Sequence, residues 1–223
     1  MAIVCITFGD FSGEQTRRSV ERSLKLLGLD HFQIVLLHDP ENTTFENIMQ
    51  PGGAVEVMLR YKEQGVIGHI GVAGGPIDLM IRYIATGAFE AVLTHNRYTL
   101  LNRAAEPLIP LATQRGMAIL NAAPYGGGIL SRGPENFPRY AYRAADDMTL
   151  QRAQQMKGIC DECGVPLAAA ALQFSMRDLR IVSTIIGMTR PERLKQTLDL
   201  AQPPIPEEMW ERLNAVGNNT EDL

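Results

Sequence analysis

Cysteine is scarce in this chain of 223 residues, and three thiols, an odd number, exclude a disulfide framework and agree with a reducing compartment. Long apolar runs are missing too. No stretch approaches the roughly 20 residues a membrane span needs, and no basic, apolar leader follows Met1, so a soluble, cytoplasmic protein with no membrane partner is expected. A formal net charge of −4 leaves no general basic field, which argues against nucleic acid as a partner, although a local cluster can still hold an anion. No charge block marks a tail. There is no Walker loop, and the glycines at 68, 71, 74 and 75 run through a strand instead of following it into a helix, so they fail the dinucleotide fingerprint.

What is present is an alternation. The stretch Gln33-Ile34-Val35-Leu36-Leu37-His38-Asp39-Pro40 carries a short apolar run suited to a strand buried on both faces, and it stops at a histidine. Histidine at the C-terminal tip of such a strand sits where α/β barrels and open α/β sheets gather their chemistry; a core histidine bonded to a carbonyl is the plainer alternative. Strand-like runs also cover 2–8, 66–72, 89–94, 117–122 and 181–186. Helical spacing covers 14–27, a stretch around Val55, Met58 and Leu59, then 77–85, 106–114, 150–162, 166–176, 190–200 and 206–216, with Trp210 as packing. Gly28, Gly65, Gly87, Gly116 and Gly164 supply the stops. The order is β-α repeated with about six strands, a parallel α/β sheet with no visible domain boundary over 1–223. A closed barrel of this class has eight strands, so this one is partial. The long irregular segment 123–147, with Gly126-Gly127-Gly128, is read as a substrate or cofactor lid.

Several constellations carry chemistry. Gly187-Met188-Thr189-Arg190-Pro191-Glu192-Arg193 follows the last strand and opens a helix, with Thr189 and Glu192 spaced as a capping box; free N–H groups, helix dipole and Arg190 and Arg193 make an anion site, against the alternative of a capped surface helix. Gly74 and Gly75 allow a flat ligand close to a strand end, unless they simply make a tight turn. His95 and Asn96 end another strand and are candidates to hydrogen-bond a ligand amide. Cys160 and Cys163 form a CxxC, but Gly164 closes the helix at once, and no second CxxC or paired histidines complete a zinc site, so no metal is expected. His31 and His69 read as surface residues.

Taken together these residues resemble the aldo-keto reductases. Arg18-Ser19-Val20-Glu21-Arg22-Ser23-Leu24, then Leu27-Gly28-Leu29-Asp30 and the strand to His38-Asp39-Pro40, follow that family's pattern of a helix ending SLxxLGLD before the strand of the active-site histidine. Arg97-Tyr98-Thr99-Leu100-Leu101, Pro124 to Leu130 and Pro191-Glu192-Arg193-Leu194 are similar to its later motifs, and the branch they resemble is that of aldose and pyridoxal dehydrogenases. The resemblance implies the C-terminal two-thirds of a (β/α)8 barrel that binds NAD(P) and moves a hydride between nicotinamide and a small carbonyl or sugar substrate. Only the histidine of the family's catalytic tetrad maps here, onto His38; the tyrosine, aspartate and lysine belong to the barrel's first strands. The family's glutamine falls at His95, its Ser-Asn pair at Ala73-Gly74, and Tyr125 is the available substitute for its stacking aromatic. Arg193 matches the phosphate-contacting arginine. A truncated product or a segment of a longer reading frame is expected, with open sheet edges that favour self-association. The alternative is a non-catalytic nucleotide-binding or interaction protein derived from that fold.

Overall fold

The computed structural model describes residues 3–6 and 10–223. In chain order it contains β1 (Ile3–Ile6), α1 (Gly13–Leu27), β2 (Phe32–His38), α2 (Phe45–Met49), α3 (Ala54–Glu63), β3 (Ile67–Ala73), α4 (Ile77–Ala85), β4 (Ala91–His95), α5 (Leu108–Gln114) and β5 (Ala118–Ala122). There follow α6 (Ile129–Arg132), β6 (Arg139–Tyr140), β7 (Arg143–Ala144), α7 (Asp147–Glu162), α8 (Leu167–Met176), β8 (Ile181–Ile185), α9 (Glu192–Ala201) and α10 (Glu207–Ala215). The main sheet has strand order β1-β2-β3-β4-β5-β8, an α/β arrangement whose β1-β2, β2-β3 and β3-β4 ladders are parallel. Of the first strand-like run, Ala2, Phe8 and the breaking Gly9 lie outside the described residues.

The chain resolves into two compact units, one holding the described residues up to Leu93 with Leu108–Ile119, the other Thr94–Pro107 with Leu120–Leu223. In the first, the reason β2 is a strand is visible in its burial. Val35, Leu36 and Leu37 are buried in succession, which requires cover on both faces, and both edges are paired: Leu37 is in register with Ile6 and with Val72. Gly71 lies where a Cβ would stand 2.5 Å from the Leu36 side chain, so the strand packs there only because the side chain is missing. Helix α1 starts one residue before the expected position because Ser12 caps it, its hydroxyl accepting from Gln15 N, and stops at Gly28 with φ +65°.

In the second unit, α8 buries Leu167, Leu172 and Phe174 together with Ala169, Ala170 and Ala171, three small residues that let neighbouring groups come close. Helix α7 begins earlier than its apolar spacing suggested, since Asp146 accepts from Thr149 N and opens it at Asp147. The segment 123–147 is a correction: it is not irregular throughout, but folds into a 3-10 turn at Gly126–Gly128, the short α6 and the β6-β7 hairpin. Helix α9 is another. It is capped at Pro191 with no side-chain bond, so Thr189 makes no capping box; the hydroxyl sits two residues too early to reach the first free N–H groups.

Candidate functional site

His38 ends β2, in register with Ala73 at the C-terminal end of β3. The next residue turns sharply: Asp39 takes φ +51°, its N–H donates to Ala73 O at 2.8 Å, and Pro40 opens a 3-10 turn, a conformation that aspartate tolerates better than most residues. The imidazole is 32% exposed at this rim, with Nδ1 3.0 Å from Asp39 Oδ1. That approach lacks hydrogen-bond alignment, so among the described residues the buried Nδ1 has no hydrogen-bond partner. Among the described residues, no carbonyl bonds this Nδ1, as the plainer alternative of a core histidine would require. Beside it, the space a side chain would occupy at Gly74 is held by Met80, Glu41 and Pro40, and Gly75 N donates to Glu41 Oε1 at 3.0 Å. The glycine pair serves its own turn, and only backbone is presented there.

The second unit gathers more polar groups. At the end of β4, Asn96 adopts φ +58° and is 1% exposed, and neither its Oδ1 nor its Nδ2 finds a partner among the described residues. Burying an amide with both ends unsatisfied costs about 1–3 kcal/mol per group, so such a side chain points to something that completes it. Its backbone is well held, N–H to Ala122 O at 3.3 Å and C=O accepting from the Tyr140 hydroxyl at 2.5 Å, while His95 stands half-buried beside it. At the end of β5, Ala123 N–H donates to Ile185 O at 3.2 Å and leads into Tyr125. The Tyr125 hydroxyl is also buried without a partner, and burial pushes its pKa up.

Tyr125 lines two adjoining cavities of about 200 and 240 Å³, both of which also meet Ser131, Arg132, Gly187 and Arg193. Two arginines, a tyrosine and an exposed glycine thus line common space, a set suited to an anion carried on a flat, partly apolar body. A Cβ at Gly187 would meet nothing within 4 Å, so the glycine leaves that wall open. Of the expected anion site, Arg193 and Gly187 reach the cleft, while Thr189 and Arg190 are exposed and line neither cavity. Ser131 and Arg132 were missed by sequence reasoning. Their only signal was position, on a short helix directly after the three glycines, and Arg132 also lies 4.6 Å over the Phe137 ring.

The second unit also holds a network of Tyr98, Asn121, Ser175, Asp178 and Arg180. The Tyr98 hydroxyl donates to Asp178 Oδ2 at 2.5 Å, Arg180 Nε donates to Asp178 Oδ1 at 2.9 Å, and Asn121 Nδ2 donates to Tyr98 O and to Ser175 Oγ, each at 2.8 Å. The Arg180 guanidinium, with the Tyr98 hydroxyl, holds the Asp178 carboxyl down at about 2. The two thiols of the CxxC differ: Cys160 is buried and its thiol is pushed up to about 12 by that burial, whereas Cys163 is exposed. Among the described residues no group of three or more His, Cys, Asp or Glu side chains is placed to hold a metal. His31 and His69 are surface residues as expected, their side chains more than half exposed.

Comparison with known proteins now adds a family. A model of the aldo/keto reductase family matches residues 9–218. Among curated proteins, the chain is 29% identical over 216 residues to a pyridoxal 4-dehydrogenase of Microbacterium luteolum, covering 93% of this chain and 63% of that one. It is also 29% identical over 206 residues to a D-threo-aldose 1-dehydrogenase of a Pseudomonas species, covering 92% and 62%. The chain thus spans a little under two thirds of the length of these relatives. Among solved structures, an aldo-keto reductase of Bacillus halodurans in its holo form superposes with a TM-score of 0.78 at 18% identity, covering 99% of this chain and 73% of that one.

Proposed function

This chain belongs to the aldo/keto reductase family, and from that premise we propose that it is part of an NAD(P)-dependent oxidoreductase acting on an aldose or a related aldehyde or alcohol. The observation that carries the proposal is the cleft, whose two adjoining cavities are both lined by Tyr125, Arg132 and Arg193. These residues fit a dinucleotide. Arg193, with Arg132, pairs with phosphate; Tyr125 lays its ring against a flat base or nicotinamide; Gly187 leaves the wall open, and His95 and the orphaned amide of Asn96 hydrogen-bond a carboxamide. Thr189 and Arg190 stay in this proposal as flanking contacts on the exposed turn, and Gly74 enters it through its backbone alone. Bound there, NAD(P) supplies or accepts the hydride.

His38 is the catalytic residue of this chain in the same proposal. At the tip of its strand, with a buried Nδ1 lacking a partner, it is placed to orient a carbonyl or hydroxyl of the substrate. In this proposal the tyrosine, lysine and aspartate of the family's tetrad are matched to no residue of this sequence. That mismatch also favours a second reading, a non-catalytic nucleotide-binding protein. Two free cysteines among the described residues fit a cytoplasmic setting, and the exposed strand β8 fits self-association of a single domain over 1–223.

Titration calorimetry with NAD and NADP tests the proposal. Binding of either dinucleotide, weakened about tenfold or more in Arg193→Ala and less in Arg190→Ala, is the expected result. No binding by the folded wild-type chain overturns both readings. Oxidation of a D-threo-aldose lost in His38→Ala supports the enzyme, and dinucleotide binding without turnover supports the non-catalytic reading.

A further inference from the structure

A separate cavity of about 400 Å³ lies in the second unit, lined by Asn102, Tyr140, Arg143, Asp146, Thr149 and Asp222 among others. Asp222 belongs to a surface strap, residues 217–223, that is tied down through its main chain. Asn219 N–H donates to Leu101 O at 2.8 Å, Arg103 N–H donates to Asn219 O at 2.7 Å, and Asn102 Nδ2 donates to Glu221 O at 3.1 Å. From this strap the Asp222 carboxylate pairs with Nε of Arg97.

Arg97 is an unusual residue to bury. Its side chain is 7% exposed, and apart from Asp222 its contacts are long: Nη1 reaches His95 O and Nη2 reaches Leu223 O, each at 3.4 Å. A buried guanidinium without a matching anion is strongly unfavourable, so the pocket is built around a carboxylate. The carboxylate present is carried by a side chain that is itself 38% exposed on a surface segment, and it opens onto a polar cavity with Arg143 on its wall. Besides pairing with Arg97, Asp222 Oδ1 accepts from Leu223 N at 2.8 Å, while the main-chain anchors of the strap lie at 219 and 221, away from the carboxylate.

We propose that Arg97 is the centre of a carboxylate-binding site, that Asp222 occupies it as a built-in competitor, and that a small hydroxylated carboxylate of the sugar-acid class displaces it. The charge recognises the carboxylate, in the bidentate manner a guanidinium favours, and the polar cavity wall recognises the hydroxyl groups. The cavity shares no lining residue with the dinucleotide cleft, and the proposal does not rest on that cleft. Because a tethered acid acts at an effective concentration of order millimolar, an external ligand binds the wild-type chain weakly.

The test is calorimetric titration of the full chain with sodium gluconate, against sodium chloride at matched ionic strength. Expected are an affinity at least about tenfold higher in Asp222→Ala than in wild type, the same direction in the shape-conserving Asp222→Asn, no change in Glu221→Ala, and loss of binding in Arg97→Gln combined with Asp222→Ala. Melting curves confirm that each variant is folded before titration. Equal affinity in wild type and Asp222→Ala, binding that survives in the Arg97→Gln double variant, or no gluconate binding in folded Asp222→Ala each overturns the proposal.

Discussion

Strand β2 carries Val35, Leu36 and Leu37 fully buried one after another, whereas β8, another run rich in β-branched residues, leaves Val182 68% exposed and follows Leu179 at 99%. Both runs favour strand, but β8 carries Ser183 and Thr184 where β2 is apolar, and their neighbours differ too. β2 has a parallel ladder on each edge and is covered on both faces, while β8 stands last in the strand order. Helix α9 beside it in sequence contains no buried residue, with Leu194 and Leu198 both more than half exposed. A sheet strand gains its stability from what lies against it, so a strand-forming run makes a core in the first case and stays largely exposed in the second.

That contrast can be broken by measurement. Leu36→Ala is expected to cost about 3–5 kcal/mol in denaturant unfolding, the cavity penalty of a fully enclosed site. If it cost no more than a substitution in β8, the difference drawn between the strands would be wrong. Next in size is the network in the second unit: Asp178→Ala strands the Tyr98 hydroxyl and the Arg180 guanidinium and should cost about 2–3 kcal/mol by the same assay. A loss below half a unit would mean that solvent replaces the carboxylate freely.

Acid titration sharpens the same point. The carboxyl of Asp178 is at about 2 in the folded chain, below its value of roughly 4 when unfolded, so its stabilisation is complete above about pH 4 and disappears as the pH falls towards 2. Thermal melts of wild type should therefore decline over that window more steeply than those of Asp178→Asn; parallel curves would contradict the assignment. The smallest effect on stability is expected at Val182→Lys, within about 0.5 kcal/mol, yet sedimentation velocity should show reduced self-association. An unchanged distribution of species would remove β8 as the contact surface.

Much of the fold was legible because its signals are local. The glycine that stops α1 sits at φ +65°, where other residues are strained, and the apolar run ending at His38 forms a strand of the expected length. Short elements escaped: α2, α6 and the β6-β7 hairpin are too brief to show a period, and the hairpin is stabilised by the Tyr140 hydroxyl reaching Asn96 O, a contact between residues far apart in the chain. The candidate site divides in the same way. Gly187, Tyr125 and Arg193 were expected and share a cleft, but the equal claims of Arg190 and Thr189 could be separated only by the course of the turn before α9, and Arg132 only by the helix that carries it there.

Sequence alone determined the alternation of strand and helix, the stops between them and the histidine at a strand tip, because each follows from residue type and spacing within one or two turns of chain. Tertiary structure alone decided which apolar strand is enclosed, which thiol of the CxxC is buried, which arginines share a cavity, and that Arg97 meets Asp222 across more than a hundred residues. The physical reason is range: backbone preference acts between neighbours in sequence, while burial, charge pairing and unsatisfied hydrogen bonds depend on which distant groups the fold brings within a few ångströms.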